Sequence, residues 1–366
     1  MVELTHKNII VHIVGALIAG GAEKFVVDLA SEMCKRGYSL HVLVLSQRED
    51  AVSATMKSAL SVNNVAYSQG PSNGLGLRTI LWLVSELHRI KPDLVHLHTP
   101  NTELAYYAAN FFIPGKVKVV RTIHNTTDKY GLITKWAFSR NKTIANIACS
   151  DAAYQAFVNK VSDLKVIKNG ISFDWDISCD VKTTYRNKLN LDSDYKHFLF
   201  VGRLSGESIS SSQKAPDVLI KAWKKISTDQ RVFLHIIGDG NLRTELELLS
   251  EGCETIKFYG VQSNVKEWMQ ACDVYVMPSR HEGLPIAGIE AVGTGIYCVF
   301  SMIKPLQELS PPGVSWHEVD SEDSLLSALN EALKTNIVIT KEQVEEFRNK
   351  FSISSNASSY LLEYKL

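Results

Sequence analysis

The sequence predicts an α/β protein made of two Rossmann-like domains, each built on a doubly wound parallel sheet. A chain of 366 residues is too long for one ordinary core, so two domains of roughly 150–200 residues are expected. Short β-branched runs alternate with amphipathic helical stretches, which is typical of βα units. After residue 172 this alternation stops at a polar stretch and then begins again.

The first half contains six strand candidates, with helical spacing at 22–36 and 77–90 between them. Each run is short and rich in Val, Ile or Leu, as buried parallel strands are. The candidates are NIIVHIV (8–14), LHVLVL (40–45), DLVHLH (93–98), VKVVRTI (117–123), TIANIAC (143–149) and LKVIK (164–168).

The second half repeats the pattern after SFDWDISCDVKTTYR (172–186), which we interpret as a linker and the entry helix of a second domain. Its strand candidates are HFLFVGRL (197–204), VFLHIIG (232–238), IKFYG (256–260), DVYVMP (273–278) and IYCVF (296–300). We therefore predict domains at 1–172 and 173–345, followed by a helical segment at 346–366. Ligands in such sheets bind at the carboxyl ends of strands.

Composition narrows the class of protein. A hydrophobic content of 45% and a charged content of 21% are typical of soluble globular proteins. The six cysteines form no CxxC pair and no signal peptide is evident, so we expect reduced thiols in a cytoplasmic protein. No apolar run approaches the ~20 residues of a membrane-spanning helix. These features predict neither a zinc site nor a disulfide framework.

Net charge is zero, but the two halves differ in sign. Residues 1–170 hold 19 Lys and Arg against 12 Asp and Glu, which gives +7, so the remainder carries −7. A basic half suits an anionic acceptor or an anionic lipid surface, and drift in the charge of solvated faces explains it equally well. We predict no nucleic-acid partner.

Two carboxylates flank one helix start in SRHEGLPIAGIEAVGTG (279–295). Pro285 suits the first helical turn, which places Glu282 in the preceding loop and Glu290 on the second turn. Free backbone N–H groups near 284–287 attract phosphate, and carboxylates accept hydrogen bonds from sugar hydroxyls. The stretch therefore predicts a nucleotide-sugar site. The alternative is that Glu282 is a solvated loop residue and Glu290 a buried acid paired with a lysine.

Nine short motifs in this chain follow the order in which they occur in a known enzyme family. PSRHEGLPIAGIEAVGTG (278–295) resembles the EX7E signature of the retaining GT-B glycosyltransferases, in particular glycosyltransferase family 4. One motif alone would be a weak signal, but the ordered set covers most of residues 8–300. The others are GGAEKFVVDLA (20–30), KPDLVHLHTP (91–100), RTIHN (121–125), ACSD (148–151), VIKNGI (166–171), VGRL (201–204), IIGDGNLRTELE (236–247) and FYGVQSNVKEWMQACDVYVMPS (258–279).

The resemblance implies a GT-B fold, with two Rossmann-like domains facing across a cleft and a final helix at 346–366 that crosses back onto the first domain. It implies sugar transfer, with retention, from a nucleotide-diphosphate donor such as a UDP-sugar to a saccharide or lipid-linked saccharide. The leaving phosphate would take the proton of the acceptor, so no protein base would be required. The EGLP form is similar to that of bacterial enzymes that assemble capsule or O-antigen polysaccharides.

The resemblance also implies roles for individual residues. Arg203 and Lys214 would neutralise the departing diphosphate, Glu282 would contact the donor sugar and Glu290 the ribose, and His124 would face the donor sugar. The further donor-binding candidates are Gly20, Gly21, Gly238, Gly283, Leu284 and Pro285, and the acceptor or cleft candidates are His98 and Asn125. From the residues alone, Gly20-Gly21 is equally an ordinary tight turn, and His124 equally a structural histidine.

This chain departs from the family pattern before Lys214. The usual short step from Arg203 to the lysine is lengthened by SGESISSS (205–212), and Ala215 stands where glycine is common. Either the longer loop closes over the donor, or Lys214 is displaced and solvated.

Two patterns suggest a metal, and we reject both. His96 and His98 alternate on one strand face, but zinc needs at least one more ligand and no Cys or acid stands at a suitable spacing. DWD (174–176) resembles the metal-binding DxD of the other large glycosyltransferase class, yet it lies in the linker, and DSD (192–194) has turn chemistry. We expect an enzyme that needs no metal cofactor.

Other functions remain as alternatives. A GT-B-like sugar-nucleotide epimerase or a non-catalytic nucleotide-sugar-binding protein would share the phosphate pocket. A dinucleotide enzyme would show GxGxxG after its first strand, which VGALIAGGAEK does not provide. NGLGLRTILWLVSELHRIK (73–91) suits either peripheral contact with the inner face of the plasma membrane or a helix covering the core.

Overall fold

A computed structural model describes residues 8–113, 115, 117–127, 133, 136, 139–140, 142–177, 179–226, 231–335 and 337–366. The chain divides into two compact units, of which the first comprises Met1–Ser172 with Ser352–Leu366 and the second comprises Phe173–Phe351.

The first unit is organised around a seven-stranded sheet, whose strands run parallel in the order β3-β2-β1-β4-β5-β6-β7. The strands are β1 (Ile9–Val14), β2 (Ser39–Val44), β3 (Ala66–Gln69), β4 (Leu94–Leu97), β5 (Lys118–Ile123), β6 (Ala145–Ala148) and β7 (Leu164–Val166). The helices that its described residues form are α1 (Gly21–Lys35), α2 (Ser53–Val62), α3 (Leu77–Ile90), α4 (Pro100–Asn110), α5 (Asp151–Phe157) and, from the end of the chain, α14 (Ile353–Tyr364).

The second unit contains a six-stranded parallel sheet in the order β10-β9-β8-β11-β12-β13. The strands are β8 (Lys196–Val201), β9 (Val232–Ile237), β10 (Ile256–Phe258), β11 (Val274–Met277), β12 (Tyr297–Ser301) and β13 (Val314–His317). The helices are α6 (Cys179–Leu189), α7 (Pro216–Trp223), α8 (Arg243–Leu249), α9 (Val265–Ala271), α10 (Ile286–Thr294), α11 (Lys304–Gln307), α12 (Glu322–Lys334) and α13 (Lys341–Lys350).

Both sheets are parallel and their central strands are buried, which confirms the predicted α/β class. Every residue of β4 and of β11 is buried. In the second unit, Phe198 and Phe200 pack with Trp223 of α7 in one hydrophobic cluster. Burying each such aromatic side chain contributes roughly 1.5–3 kcal/mol, so these contacts anchor the helices to the sheet.

Helix α3 shows why its sequence allowed two interpretations. Thr79, Leu83, Leu87 and Ile90 recur at helical spacing and are buried, so this face covers the core of the first unit. Leu77 and Leu81 lie elsewhere on the helix and are 73% and 56% exposed. The helix therefore has a core-facing side together with an exposed apolar edge. No helix in the described part of the chain combines the length and apolarity needed to cross a membrane.

Two strands were not predicted. AYSQ forms the edge strand β3, and VSWH forms the edge strand β13. An edge strand has a neighbour on only one side, so it does not need the long apolar run of a central strand. The five cysteines whose side chains are described are free thiols, as expected, and the side chain of Cys179 lies outside the described residues.

The predicted final segment at 346–366 is divided in the structure. Helix α13 belongs to the second unit, whereas α14 packs against α1 of the first. Arg36, the C-cap residue of α1, donates hydrogen bonds to Ser354 and Ser358. Gly170 lies so close that an added Cβ would be 2.8 Å from the carbonyl oxygen of Ser352.

Candidate functional site

The strand order identifies one ligand-binding edge in each unit. The strand order reverses between β1 and β4 in the first sheet and between β8 and β11 in the second. Loops that leave the carboxyl ends of such neighbouring strands diverge, and the gap between them is where ligands bind in open α/β sheets. The candidate residues that follow β1, β4, β8 and β11 lie at these two positions.

In the second unit, the structure joins Lys214 to Glu282. The Lys214 ammonium nitrogen lies 2.7 Å from Glu282 Oε1, and their side chains are only 16% and 6% exposed. Gln213 also donates to Glu282, over 3.2 Å. The interpretation of Lys214 as displaced and solvated is therefore wrong, because the lengthened loop still delivers its ammonium to the EGLP loop.

The loop before Lys214 is ordered by local contacts. Ile209–Ser211 form a 3-10 turn, and Asn241 exchanges two hydrogen bonds with the backbone of Gly206. Ala215 adopts φ 49° and ψ 45°, in the left-handed region where glycine is favoured. Alanine pays roughly 1 kcal/mol or more for that conformation, which explains why glycine is the ordinary choice at this position.

Arg280, which the sequence interpretation missed, joins this loop to the EGLP loop. Its backbone N–H donates to the carbonyl of Gln213 over 2.8 Å, and its guanidinium donates to the carbonyl of Ser212 over 2.7 Å. The same guanidinium pairs with buried Asp217 on α7. A charge-assisted, forked pair of this kind fixes orientation as well as distance. The only sequence signal was the position of this arginine, two residues before Glu282.

The helix after the EGLP loop, α10, runs from Ile286 to Thr294, and Pro285 is its N-cap residue, directly before the first helical residue. Gly295, with φ 80°, ends the helix. Gly283, Leu284 and Pro285 are buried in this turn.

Both acids of the motif lie in a buried environment. Glu282 and Glu290 are 6% and 7% exposed. Burial raises the pKa of Tyr275 well above its usual range, with smaller contributions from Cys298, Glu290 and Glu282. The Tyr275 hydroxyl has no hydrogen-bond partner within the described residues. The Tyr275 hydroxyl is thus a buried polar group near both acids.

Arg203 and Gly238 lie on neighbouring loops. Arg203 follows β8 and its side chain is exposed, so its guanidinium is accessible to a ligand. Gly238 follows β9 with φ 136°, and an added Cβ would be 1.9 Å from the carbonyl oxygen of Gly202. Glycine is thus required at 238 by contact between the two loops, in addition to any role beside a ligand.

In the first unit, Gly20 and Gly21 connect β1 to α1. Gly20 is the extended N-cap residue and Gly21 is the exposed first residue of the helix. The N-cap residue Gly20 has no side chain with which to cap the helix, and the first backbone N–H groups of a helix point toward its amino end. That arrangement suits an anion, which is what the sequence interpretation required.

Four histidines meet in the first unit, and the sequence indicated only three of them. His12 on β1 lies opposite His96 on β4, and the rings of His96 and His98 have centroids 4.0 Å apart. His124 follows β5, contacts His98 and is partly exposed, and Asn125 beyond it is exposed. Strand pairing between β1 and β4 brings His12 to the others, which sequence spacing alone does not show.

The argument against a metal at His96 and His98 was incomplete, because His12 supplies the third histidine it lacked. His12, His96 and His98 are the one group of metal-capable side chains found in the described residues, with ligand atoms within 4.8 Å of one another. Both ring nitrogens of His96 already bond hydroxyls, those of Tyr364 and Thr122, each at 2.7 Å. A metal would have to displace these bonds.

DWD does not form a converging pair of carboxylates. Asp174 pairs with Lys266, and Asp176 bonds the backbone of the next residue, Ile177. The Asp174 side chain is 65% exposed. These contacts agree with the interpretation of DWD as linker.

Comparison with known proteins extends over most of the chain. Residues 19–175 match the family model described as Glycosyltransferase Family 4, and residues 181–352 match the model described as Glycosyl transferases group 1. Together the two models account for both units.

Individual relatives are distant. The chain is similar to the O-antigen biosynthesis glycosyltransferase WclY of Escherichia coli, with 23% identity over 75% of this chain and 79% of that protein. It is 28% identical to the UDP-Gal:alpha-D-GlcNAc-diphosphoundecaprenol alpha-1,3-galactosyltransferase of Escherichia coli, over 62% of each chain. The matches span 54% to 79% of the length of the first curated relatives.

Among solved structures, the chain resembles Anabaena Alr3699/HepE in complex with UDP and glucose. The TM-score is 0.80 at 17% identity, over 97% of this chain and 98% of that one. At this identity the likeness establishes the fold.

Proposed function

The chain belongs to the GT-B glycosyltransferases of the family 4 type, and from that premise we propose that it transfers a sugar from a UDP-sugar to a lipid-linked saccharide. The transfer retains anomeric configuration and serves the assembly of a bacterial surface polysaccharide. The names of two relatives support this proposal, since one acts in O-antigen biosynthesis and the other transfers galactose from UDP-Gal to alpha-D-GlcNAc-diphosphoundecaprenol. The solved HepE structure contains UDP.

The observation that carries the proposal is the ion pair between Lys214 and Glu282. In the structure, the Lys214 ammonium is neutralised by the buried Glu282 carboxylate. A diphosphate offers more negative charge, so Lys214 is expected to transfer its hydrogen bond to a phosphate oxygen. Glu282 then accepts a hydrogen bond from a sugar hydroxyl. The contact places the two groups side by side, so that each can bind one part of the donor.

The same groups act on the transition state. As the bond between the anomeric carbon and the phosphate oxygen breaks, negative charge grows on the diphosphate. Lys214 and Arg203 stabilise that charge. The acceptor hydroxyl oxygen bonds to the anomeric carbon, and its proton passes to the departing phosphate oxygen. No protein base is required in this scheme, and no metal cofactor is proposed.

A lipid-linked acceptor places the reaction at a membrane surface, and we assign it to the cytoplasmic face. The exposed edge of α3, where Leu77 and Leu81 lie one helical turn apart and Arg78 is also exposed, suits peripheral contact. Sedimentation with vesicles of anionic lipid tests this assignment. Leu77→Ser with Leu81→Ser should release the protein into the supernatant, and unchanged sedimentation would refute the contact.

Ligand-induced stabilisation tests the donor. A nucleotide at 100 times its dissociation constant adds about 2.7 kcal/mol to the stability of the folded state. We expect such a shift with UDP and not with GDP or ADP, and no effect of EDTA. Lys214→Met and Arg203→Ala should each abolish it. Lys221→Met is the matched control. Lys221 lies on α7, outside this loop, and its ammonium nitrogen is 3.7 Å from a carboxylate oxygen of Glu322.

The possible results separate the claims. A shift with another nucleotide would replace UDP, and a shift lost with EDTA would establish a metal. The absence of any shift would refute the nucleotide-sugar function. Retention is then read from the anomeric coupling constant of the product, where an inverted linkage would refute the retaining mechanism.

A further inference from the structure

Three of the four clustered histidines form a continuous line of hydrogen bonds. His12 Nδ1 lies 3.0 Å from His98 Nε2, and His98 Nδ1 lies 3.2 Å from His124 Nε2. Both ring nitrogens of His98 are therefore engaged. The His96 ring lies tilted against the His98 ring, but its nitrogens bond to Thr122 and Tyr364 instead. We name His12, His98 and His124 the histidine line.

Each ring of the histidine line is neutral at physiological pH. Burial lowers the pKa of His12 to about 3 and that of His124 to about 4, and it holds the pKa of His98 well below its usual range. A neutral imidazole has one N–H and one lone pair. Every contact between two nitrogens needs one of each, so all three protons must sit on Nδ1 or all three on Nε2.

The buried end of the histidine line decides between these states. His12 is completely buried, and its Nε2 has no partner among the described residues. With the protons on Nε2, His12 would bury an N–H without an acceptor. With the protons on Nδ1, it buries only an unused lone pair. Buried N–H groups without acceptors are rare and expensive, so the second state is favoured.

The other end of the histidine line tolerates either state. His124 is partly exposed and its Nδ1 contacts no described residue by hydrogen bonding, so water or a ligand can serve it. Phe25 packs edge-on against both His98 and His124, with centroids 6.4 and 5.5 Å away, and holds the rings in place. The direction of the hydrogen bonds is thus set by His12, and it determines which nitrogen of His124 carries the proton.

We propose that His12 and His98 are positioning residues that fix His124 as the Nδ1–H tautomer, so that His124 presents a hydrogen-bond donor beyond the carboxyl end of β5. Such a donor pairs with an oxygen acceptor, and within the proposed function, on which this part rests, the acceptor is a hydroxyl of the donor sugar. Free neutral histidine prefers the opposite tautomer, so the protein imposes the choice.

Two-bond ¹H–¹⁵N correlation spectra of ¹⁵N-histidine-labelled protein test the tautomer without any ligand. We expect His12, His98 and His124 to show the Nδ1–H pattern. An Nε2–H pattern for His124 in the wild-type protein would overturn the proposal, whatever the variants do. His98→Phe keeps an aromatic ring but breaks the histidine line, so His124 should move toward Nε2–H.

The matched control is His96→Phe, which changes a ring in the same cluster and leaves the line intact. Its His124 pattern should equal the wild-type pattern. If His98→Phe left the tautomer unchanged, or if His96→Phe changed it equally, His98 would have no positioning role.

Binding separates the tautomer from its use. By calorimetry, His98→Phe should bind UDP as the wild type does but bind UDP-glucose or UDP-galactose about threefold to tenfold more weakly, the loss of roughly one hydrogen bond. Equal affinity for the UDP-sugar would overturn the sugar contact. If the wild-type protein bound no nucleotide, the proposed function would fail while the spectra still decided the tautomer.

Discussion

The buried histidines should make the protein sensitive to mild acid. Burial lowers the pKa of His12 in the first unit and of His235 in the second to about 3. In the unfolded chain each has the ordinary pKa near 6.5. Below that value the unfolded state binds a proton that the folded state refuses. The contribution of these neutral histidines to the free energy of unfolding is therefore fully present above pH 6.5. It falls as the pH decreases and stops falling only near pH 3.

The size of the loss follows from these pKa values. A pH of about 5 lies about 1.5 units below the ordinary histidine pKa, so each of the two histidines should lower the free energy of unfolding by about 2 kcal/mol. Burial shifts the pKa of His96 and His98 in the same direction, so the first unit should lose more than the second. Carboxylates with lowered pKa, such as Asp273, change the free energy of unfolding mainly below about pH 4.5, so they add little between pH 7 and 5.

Urea unfolding at about pH 7, 6 and 5, with tryptophan fluorescence and circular dichroism as separate probes, measures the effect. The midpoint should fall steadily across this range. His235→Gln keeps a polar side chain but cannot be protonated. The number of protons that the second unit binds on unfolding should therefore fall by about one. A free energy of unfolding that stayed constant between pH 7 and 5 would refute the reasoning, because it would require these histidines to be protonated in the folded state.

Three further predictions concern single contacts. Gly238→Ala should lower the free energy of unfolding by more than about 3 kcal/mol, because the new Cβ would lie 1.9 Å from the Gly202 carbonyl oxygen. Gly252→Ala, also at positive φ but with open space around it, should lower it by only about 1 kcal/mol. Equal urea midpoints for the two variants would contradict the loop contact. Glu103→Gln removes the carboxylate from the buried pair with Arg121 and should cost about 3–5 kcal/mol, against less than about 1 kcal/mol for Glu86→Gln in the exposed pair with Arg89. Matching losses by thermal denaturation would mean that Arg121 finds other partners. Removing 352–366 should lower the melting temperature of the first unit and leave that of the second unchanged, whereas removing only 365–366 should have little effect; an unchanged first transition would show that α14 does not stabilise it.

The sequence predicted features that depend on near neighbours. Glu282, Pro285 and Glu290 could be placed because a loop, a helix start and a helix turn follow one another directly. Central strands such as β4 and β11 could be found because burial on both faces demands an apolar run. The edge strand β3 could not, since AYSQ has no such run.

Contacts between distant residues were out of reach of that reasoning. His12 joins His96 and His98 only because β1 pairs with β4, and Arg280 meets Asp217 only because two loops come together. The same applies to Lys214, where the extra residues 205–212 made displacement a fair expectation. The structure shows the added length folding back on itself through the 3-10 turn and the bonds to Asn241.

The first unit is made from two separated pieces of chain, since α14 returns to it after the second unit is complete. A ribosome synthesises from the amino end, so residues 173–351 emerge before α14 exists. During that interval the nascent first sheet lacks Tyr360 and Tyr364, whose hydroxyls serve Thr122 and His96. All of the second unit is therefore synthesised before the first unit receives its last helix. The order of maturation during translation is thus the reverse of the order in which the two units begin.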